Sequence, residues 1–309
     1  MIKILRSTES GLVEIKEVVS GCWINAVNPT AQEIEYLQKL GRNDDFVLYP
    51  LDLDERARVE KENDEILIIV RIPHYNGESA DIPYITIPLG IIMRPNMVVT
   101  VCRLDNNLVS EVAGGRIRGF STAKQNRFVL HFLLSTAAKY LSYLKEINRH
   151  VDTLEDCLQR SIENRELMTL LKYQKSLVYF TTGLKSNELM MERLQRSQLF
   201  KAYPDDQDLL DDVLTENQQA IEMVNIDGSI LSQMMDAFAS IISNNLNVVM
   251  KFLASITIVL SFPSMVASFY GMNILLPFAG NAWAIWIVLI ISVLLSLGAV
   301  LLLRRRNWL

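Results

Sequence analysis

Basic residues are missing from one long stretch of this 309-residue chain. Between Asp205 and Met250 stand nine carboxylates (Asp205, Asp206, Asp208, Asp211, Asp212, Glu216, Glu222, Asp227, Asp236) and no lysine, arginine or histidine. Proline is also absent between Pro204 and Pro263, so nothing in that interval forbids one continuous helix. The three cysteines (Cys22, Cys102, Cys157) are far apart, odd in number and without metal-ligand spacing. They read as free thiols of a reducing compartment, which excludes a disulfide scaffold and a structural zinc site. The three histidines (His74, His131, His150) are scattered, so a soft transition-metal centre has no ligand set. A net charge of -5 gives no basic surface for nucleic acid. No nucleotide loop and no nucleophile–base pair is present, so neither an enzyme nor an organic cofactor is expected. The opening Met1-Ile2-Lys3-Ile4-Leu5-Arg6 is too short for a cleavable signal peptide and reads as a strand.

What the chain does have is apolar length at its end. Val248 to Phe269 and Trp283 to Leu303 are two runs in which Lys251 is the only charge. At ~1.5 Å per residue each reaches ~32 Å, enough to cross a bilayer core. The connector from Tyr270 to Ala282 carries no charge, whereas Arg304-Arg305-Arg306 follows the second run and Lys251 begins the first. The positive-inside bias therefore puts both termini in the cytoplasm, with a multi-pass anchor in the cell (inner) membrane.

The rest divides by pattern. Residues 1–120 read as a cytosolic α/β domain, with strands at Ile2–Leu5, Leu12–Ile15, Cys22–Val27, Ile66–Ile72, Tyr84–Met93 and Met97–Cys102. Thr30 and Glu33 form a capping-box start for a helix reaching about Leu40. Residues 121–204 read as a helical hairpin. Its first helix has an apolar face at Phe128, Phe132, Thr136, Tyr140, Tyr143 and Ile147, and its second runs from about Glu166 to Phe200 around Gly183. An acidic stalk helix (205–247) leads into the first transmembrane helix (248–270). An external loop (271–282), a second transmembrane helix (283–303) and a basic cytosolic tail (304–309) complete the order. The fold class expected is an α/β cytosolic domain plus a long helical stalk that continues into two C-terminal transmembrane helices.

Two stripes run along the stalk. Leu210, Leu214, Ile221, Val224, Leu231, Met235, Phe238 and Ile242 step by fours and threes, a seam for side-by-side helix packing interrupted by Asn217 and Gly228. The second stripe starts at Asp212 and continues through Thr215, Gln219, Glu222, Ile226, Ser229, Gln233, Asp236, Ser240, Ser243, Asn247, Met250, Ala254, Thr257, Ser261, Ser264 and Ser268. Nearly every position is polar or small, and the pattern enters the apolar run unchanged. Small residues on one face also serve close helix packing. A polar seam that persists from stalk into membrane points instead to copies of one helix around a water-filled path. Carboxylates gathered there, with Glu222 and Asp236 on the stripe, would favour a hard cation.

Tyr270-Gly271-Met272-Asn273, directly after the first of two C-terminal spans and behind an acidic stalk, resembles the signature of the CorA family of divalent-cation channels. The terminal Arg304-Arg305-Arg306-Asn307-Trp308-Leu309 resembles the basic cluster that ends the family's chains. The resemblance implies a homopentameric Mg²⁺ channel, with Co²⁺ and Ni²⁺ as further cargo, the first span lining the pore and the second outside it. It implies that Gly271, Met272 and Asn273 form the outer selectivity site, and that Asn247 is an inner polar ring followed by a Met250–Leu253 constriction. Ala254, Thr257, Ser261, Ser264 and Ser268 would line the pore. Lys251 with Arg304 to Arg306 would form a basic ring. Asp212, with Asp211, Glu222 and Asp236, would bind regulatory Mg²⁺ between subunits.

The connector departs from the family, with Ile274-Leu275-Leu276-Pro277-Phe278 in place of an acidic run. Family relatives that carry Zn²⁺, coupled to protons, make a Zn²⁺ transporter the alternative. A membrane-anchored sensor or scaffold without transport is the alternative of another class.

Overall fold

The computed structural model describes residues 1–8, 11–113, 120–160, 164–197, 204–272 and 283–308. They fall into two units, Met1–Gln233 and Met234–Leu309.

The first unit is built on a mixed sheet. Its strands are β1 (Ile2–Thr8), β2 (Gly11–Ile15), β3 (Cys22–Val27), β4 (Arg58–Glu62), β5 (Glu65–Tyr75), β6 (Tyr84–Arg94) and β7 (Met97–Cys102). The spatial order is β2-β1-β3-β7-β6-β5-β4. β3 and β7 run parallel, and every other neighbouring pair is antiparallel. The inner strands β5 and β6 are nearly continuous Ile, Leu and Val because both of their faces are buried.

The sequence pattern locates six strands and misses β4. Its residues Arg58-Val59-Glu60-Lys61-Glu62 are mostly charged, as suits an edge that must not pair with another chain. Asn63, at φ +53°, helps close the two-residue turn into β5.

Helices cover both sheet faces. On one lie α1 (Ala31–Lys39) and α2 (Asp45–Leu48), whose Leu37, Phe46 and Val47 pack with Ile24, Leu67, Ile69 and Val99. The expected capping box is present: the Thr30 amide donates to Glu33 Oε2 at 2.8 Å, and the Glu33 amide to Thr30 Oγ1 at 3.4 Å. On the other face lie α3 (Asn107–Ala113), α4 (Gln125–Arg160), α5 (Asn164–Arg196) and the start of α6 (Pro204–Tyr270). The apolar positions expected on α4 are buried from Phe128 to Ile147. Trp23 sits at their centre, edge-on to Phe128 and Phe132, with its indole N–H donating to Thr100 Oγ1 at 2.8 Å.

Gly183 looks like a flaw in α5 by propensity, yet the packing demands it. A Cβ there would lie 2.7 Å from the Tyr140 hydroxyl and 2.8 Å from Thr86 Cγ2. That hydroxyl is fixed by donating to the Arg71 carbonyl, which also accepts from Asn187.

Two carboxylates of α6 turn inward onto α4. Asp206 accepts from Arg127 Nε at 3.0 Å, and Asp227 accepts from Asn148 Nδ2 at 2.9 Å. Two of the nine carboxylates of the acidic run are thus held within the first unit. The second oxygen of Asp227 is buried without a hydrogen bond, and burial raises this carboxyl's pKa while Asn148 partly opposes the shift.

Gly183→Ala should gain up to ~1 kcal/mol in helix propensity and lose ~1–3 kcal/mol to the clash. A lower melting temperature of the detergent-solubilised protein is the expected result. Asp227 has a raised folded pKa, so the folded state holds its proton more tightly than the unfolded chain. Its penalty is absent below the ordinary value of 3.8 and complete above the raised one. Asp227→Asn should therefore raise the melting temperature at pH 8 and have little effect near pH 4, as thermal scans across pH would register.

Candidate ion pathway

α6 presents different chemistry on different sides. In the first unit its apolar seam is covered, with Leu210, Ile221, Val224 and Leu231 buried and Leu214 half-buried beside a buried Val213 that the seam did not include. Asn217, which interrupts the seam in sequence, is buried with it, its amide 3.5 Å from the Leu184 carbonyl. Asp212, Thr215, Gln219, Glu222, Ile226, Ser229 and Gln233 are all exposed.

In the second unit α6 packs against α7 (Ala284–Arg305). Serines, valines, an alanine and Phe262 make up the less exposed side of the two helices. Ser255, Val266, Ser292 and Ala299 are buried, and Val259 and Phe262 are half-buried. Ser255 Oγ lies 3.4 Å from the Trp308 carbonyl, and Ser296 Oγ donates to the Val259 carbonyl at 3.3 Å. The positions Asp236, Ser240, Ser243, Asn247, Met250, Ala254, Thr257, Ser261, Ser264 and Ser268 are exposed. At ~100° per residue this stripe is centred ~150° around the helix from the row Ser255–Val259–Phe262–Val266. The second helix therefore leaves the polar stripe open.

Three hydroxyls on this stripe donate back to carbonyls of their own helix. Thr257 donates to the Leu253 carbonyl at 2.9 Å, Ser261 to Ile258 at 2.7 Å and Ser268 to Ser264 at 2.8 Å. With their protons committed to the backbone, these oxygens have only acceptor capacity to offer outward. A hydrated cation directs its water protons outward, so an acceptor-lined face suits it. Below these hydroxyls, Asn247 carries an exposed amide, and Met250 and Leu253 form an exposed apolar turn.

Gly271 and Met272 close α6, their amides donating to the Ala267 and Phe269 carbonyls at 2.9 and 3.3 Å, and both residues are exposed. Asn273 and the connector through residue 282 lie outside the described residues. The basic residues share one end of the second unit. Lys251 begins the apolar part of α6, and the Ser255–Trp308 contact brings the tail after Arg304, Arg305 and Arg306 to that level. Trp283 and Trp286 stand at the opposite end of α7 from Trp308, as in aromatic belts at two interfaces.

The carboxylates singled out from sequence form no cluster within one chain beyond the adjacent pair Asp211 and Asp212. Asp211, Asp212, Glu222 and Asp236 are exposed, and Glu222 accepts from Gln218 Nε2 at 3.3 Å. Along a helix Asp212 and Glu222 are separated by ~15 Å. Among the described residues, no three His, Cys, Asp or Glu side chains converge to hold a metal. Burial lowers the pKa of His74 and His131, and the thiol of Cys102 is pushed up to about 11 by its buried setting. The Ser255 and Ser296 contacts escape the sequence reading. The available signal was a proline inside a membrane-length helix, which leaves a carbonyl in need of a donor.

A family model described as CorA-like Mg²⁺ transporter protein matches residues 20–305. The cobalt/magnesium transport protein CorA of Methanocaldococcus jannaschii is 27% identical over 297 residues, covering 93% of this chain and 90% of that protein. The complete structure of the CorA magnesium transporter from the same organism superposes with a TM-score of 0.86 at 24% identity, over 100% of this chain and 99% of the other. The ZntB cytoplasmic domain from Vibrio parahaemolyticus shares the fold at a TM-score of 0.60 and 10% identity, covering 78% of this chain and 98% of that domain. By the family match across nearly its whole length, this chain belongs to the CorA-like Mg²⁺ transporter family.

Proposed function

We propose that the protein is one subunit of a homopentameric, passive channel for divalent cations, with Mg²⁺ as its principal cargo and Co²⁺ and Ni²⁺ as further ions. The observation that carries this is the exposed polar stripe of α6, opposite α7, with its hydroxyl oxygens free to accept. In a single chain that stripe would face hydrocarbon at a cost. Several copies around an axis would enclose it as a wet path.

Mg²⁺ sheds its waters reluctantly, so a path of oxygen acceptors can pass it hydrated. Gly271, Met272 and Asn273 would hold the hydrated ion at the outer mouth, where neutral groups bind without trapping it. Asn247 would form the inner polar ring, and Met250 and Leu253 an apolar constriction that closes by dewetting. The membrane would be the cell (inner) membrane with both termini cytoplasmic, a reading supported by Lys251 and Arg304 to Arg306 at one end.

Feedback follows from charge. Asp211, Asp212, Glu222 and Asp236 are exposed, and among the described residues no three carboxylates of one chain converge on an ion. Neighbouring stalks in an oligomer would bring like positions together, and internal Mg²⁺ bound between them would favour the closed arrangement. A Zn²⁺ transporter coupled to protons is the second reading, favoured by the uncharged Ile274-Leu275-Leu276-Pro277-Phe278 connector.

Flux into proteoliposomes tests both. Voltage-driven Mg²⁺ uptake is expected, falling by about tenfold or more in Asn273→Ala because the outer site is lost. Asp212→Asn should keep uptake and weaken its suppression by internal Mg²⁺. Zn²⁺ uptake tracking a proton gradient would install the second reading. Absence of flux from an intact oligomer would overturn both. Thr257→Val keeps the shape and removes the oxygen, and should cut Mg²⁺ flux by about threefold or more, the effect of one lost hydrogen bond repeated around the pore.

A further inference from the structure

Pro263 lies inside α6, and its nitrogen has no hydrogen to donate. The carbonyl four residues earlier, that of Val259, is therefore without its helical partner. In hydrocarbon an unpartnered carbonyl is costly, and the usual remedy is a hydroxyl from a neighbouring helix. Val259 sits on the row that faces α7, turned away from the polar stripe, so water along the stripe does not reach it. The donor is Ser296 Oγ, at 3.3 Å. Other span hydroxyls bond back to their own helix: Ser255 to Lys251, Thr257 to Leu253, Ser268 to Ser264 and Ser292 to Val288. Ser296 has the same backbone option and instead reaches across to α7's neighbour at the proline turn.

We propose that Ser296 is a positioning residue for transport, pinning the proline-broken turn of the pore-lining span to the outer span. The pin holds the turn from Val259 to Pro263, where the missing hydrogen bond leaves a helix free to bend. That sets how Ser264, Ser268, Gly271 and Met272, which follow this turn, stand toward the axis. The role in transport rests on the channel reading above, whereas the pin itself does not.

The test is a double-mutant cycle on the full-length protein in lipid nanodiscs and proteoliposomes, using Ser296→Ala, Pro263→Ala and the pair. Amide hydrogen exchange across residues 256–270 and Mg²⁺ flux are both read. Ser296→Ala should raise exchange and change flux by about threefold or more, as expected for groups in direct contact. In the Pro263→Ala background, where residue 263 supplies the missing N–H, the same change should shift neither by more than about 1.5-fold. Ser296→Thr should preserve both readouts, and Ser292→Ala, which loses only a bond within α7, should leave both near wild type. These two variants keep the test decisive if Pro263→Ala does not fold. Unchanged exchange in Ser296→Ala, or an equal rise in both backgrounds, overturns the pin. Raised exchange with unaltered flux overturns its role in transport. Absence of flux in the wild type counts against the channel reading, while the exchange data still decide on the pin.

Discussion

Hydrocarbon offers no partner to a backbone amide, and the second unit is shaped by that constraint. It requires helices, puts the charges at the ends of the apolar runs, and turns hydroxyl protons back onto carbonyls. Thr257, Ser261 and Ser268 comply, each donating to its own helix. Compliance has a functional by-product, since a hydroxyl that has spent its proton presents an acceptor on its open side. Where Pro263 breaks the ladder, Ser296 answers from the other helix.

The first unit solves a different problem, holding one long helix against a sheet with a chosen face outward. Arg127 meets Asp206 and Asn148 meets Asp227, each pair separated by 79 residues, so α4 and α6 run side by side in register. The apolar seam of α6 is covered by the same arrangement, and Asp212 and Glu222 are left exposed. The polar pins are unequal. Asp206 has a guanidinium, whereas Asp227 has an amide for one oxygen and nothing for the other. A buried carboxyl so provided is a weak point in stability, and its cost depends on pH.

On the channel reading proposed above, the labour of cation handling is divided along α6. Exposed carboxylates lie in the soluble length of α6 and also reach Asp236 in the second unit, whereas the apolar length holds only neutral oxygens. Strong negative charge binds a divalent ion tightly, which suits a sensor and would stall a conduit. Neither set is complete in one chain, because residues spaced along a helix axis cannot surround an ion.

Much of this protein was legible in the sequence because it follows from local periodicity. Two apolar runs of bilayer length, six alternating or apolar strands, the Thr30–Glu33 cap, the seam and the polar stripe all repeat at backbone-dictated steps. Of the residues proposed to handle the ion, Asp212, Glu222 and Asp236 stand on the polar stripe, whereas Gly271, Met272 and Asn273 lie beyond it and were named from the resemblance to the CorA family. Tertiary structure decided what depends on partners distant in the chain. It made a strand of charged Arg58–Glu62 by giving it β5 to pair with. It explained Gly183 by the approach of Tyr140 and Thr86, buried Asp206 and Asp227 against α4, and supplied Ser296 to Val259. A hydrogen-bonded repeat is fixed by backbone geometry over a few residues, whereas the choice of a cross-helix neighbour is settled only when whole faces pack.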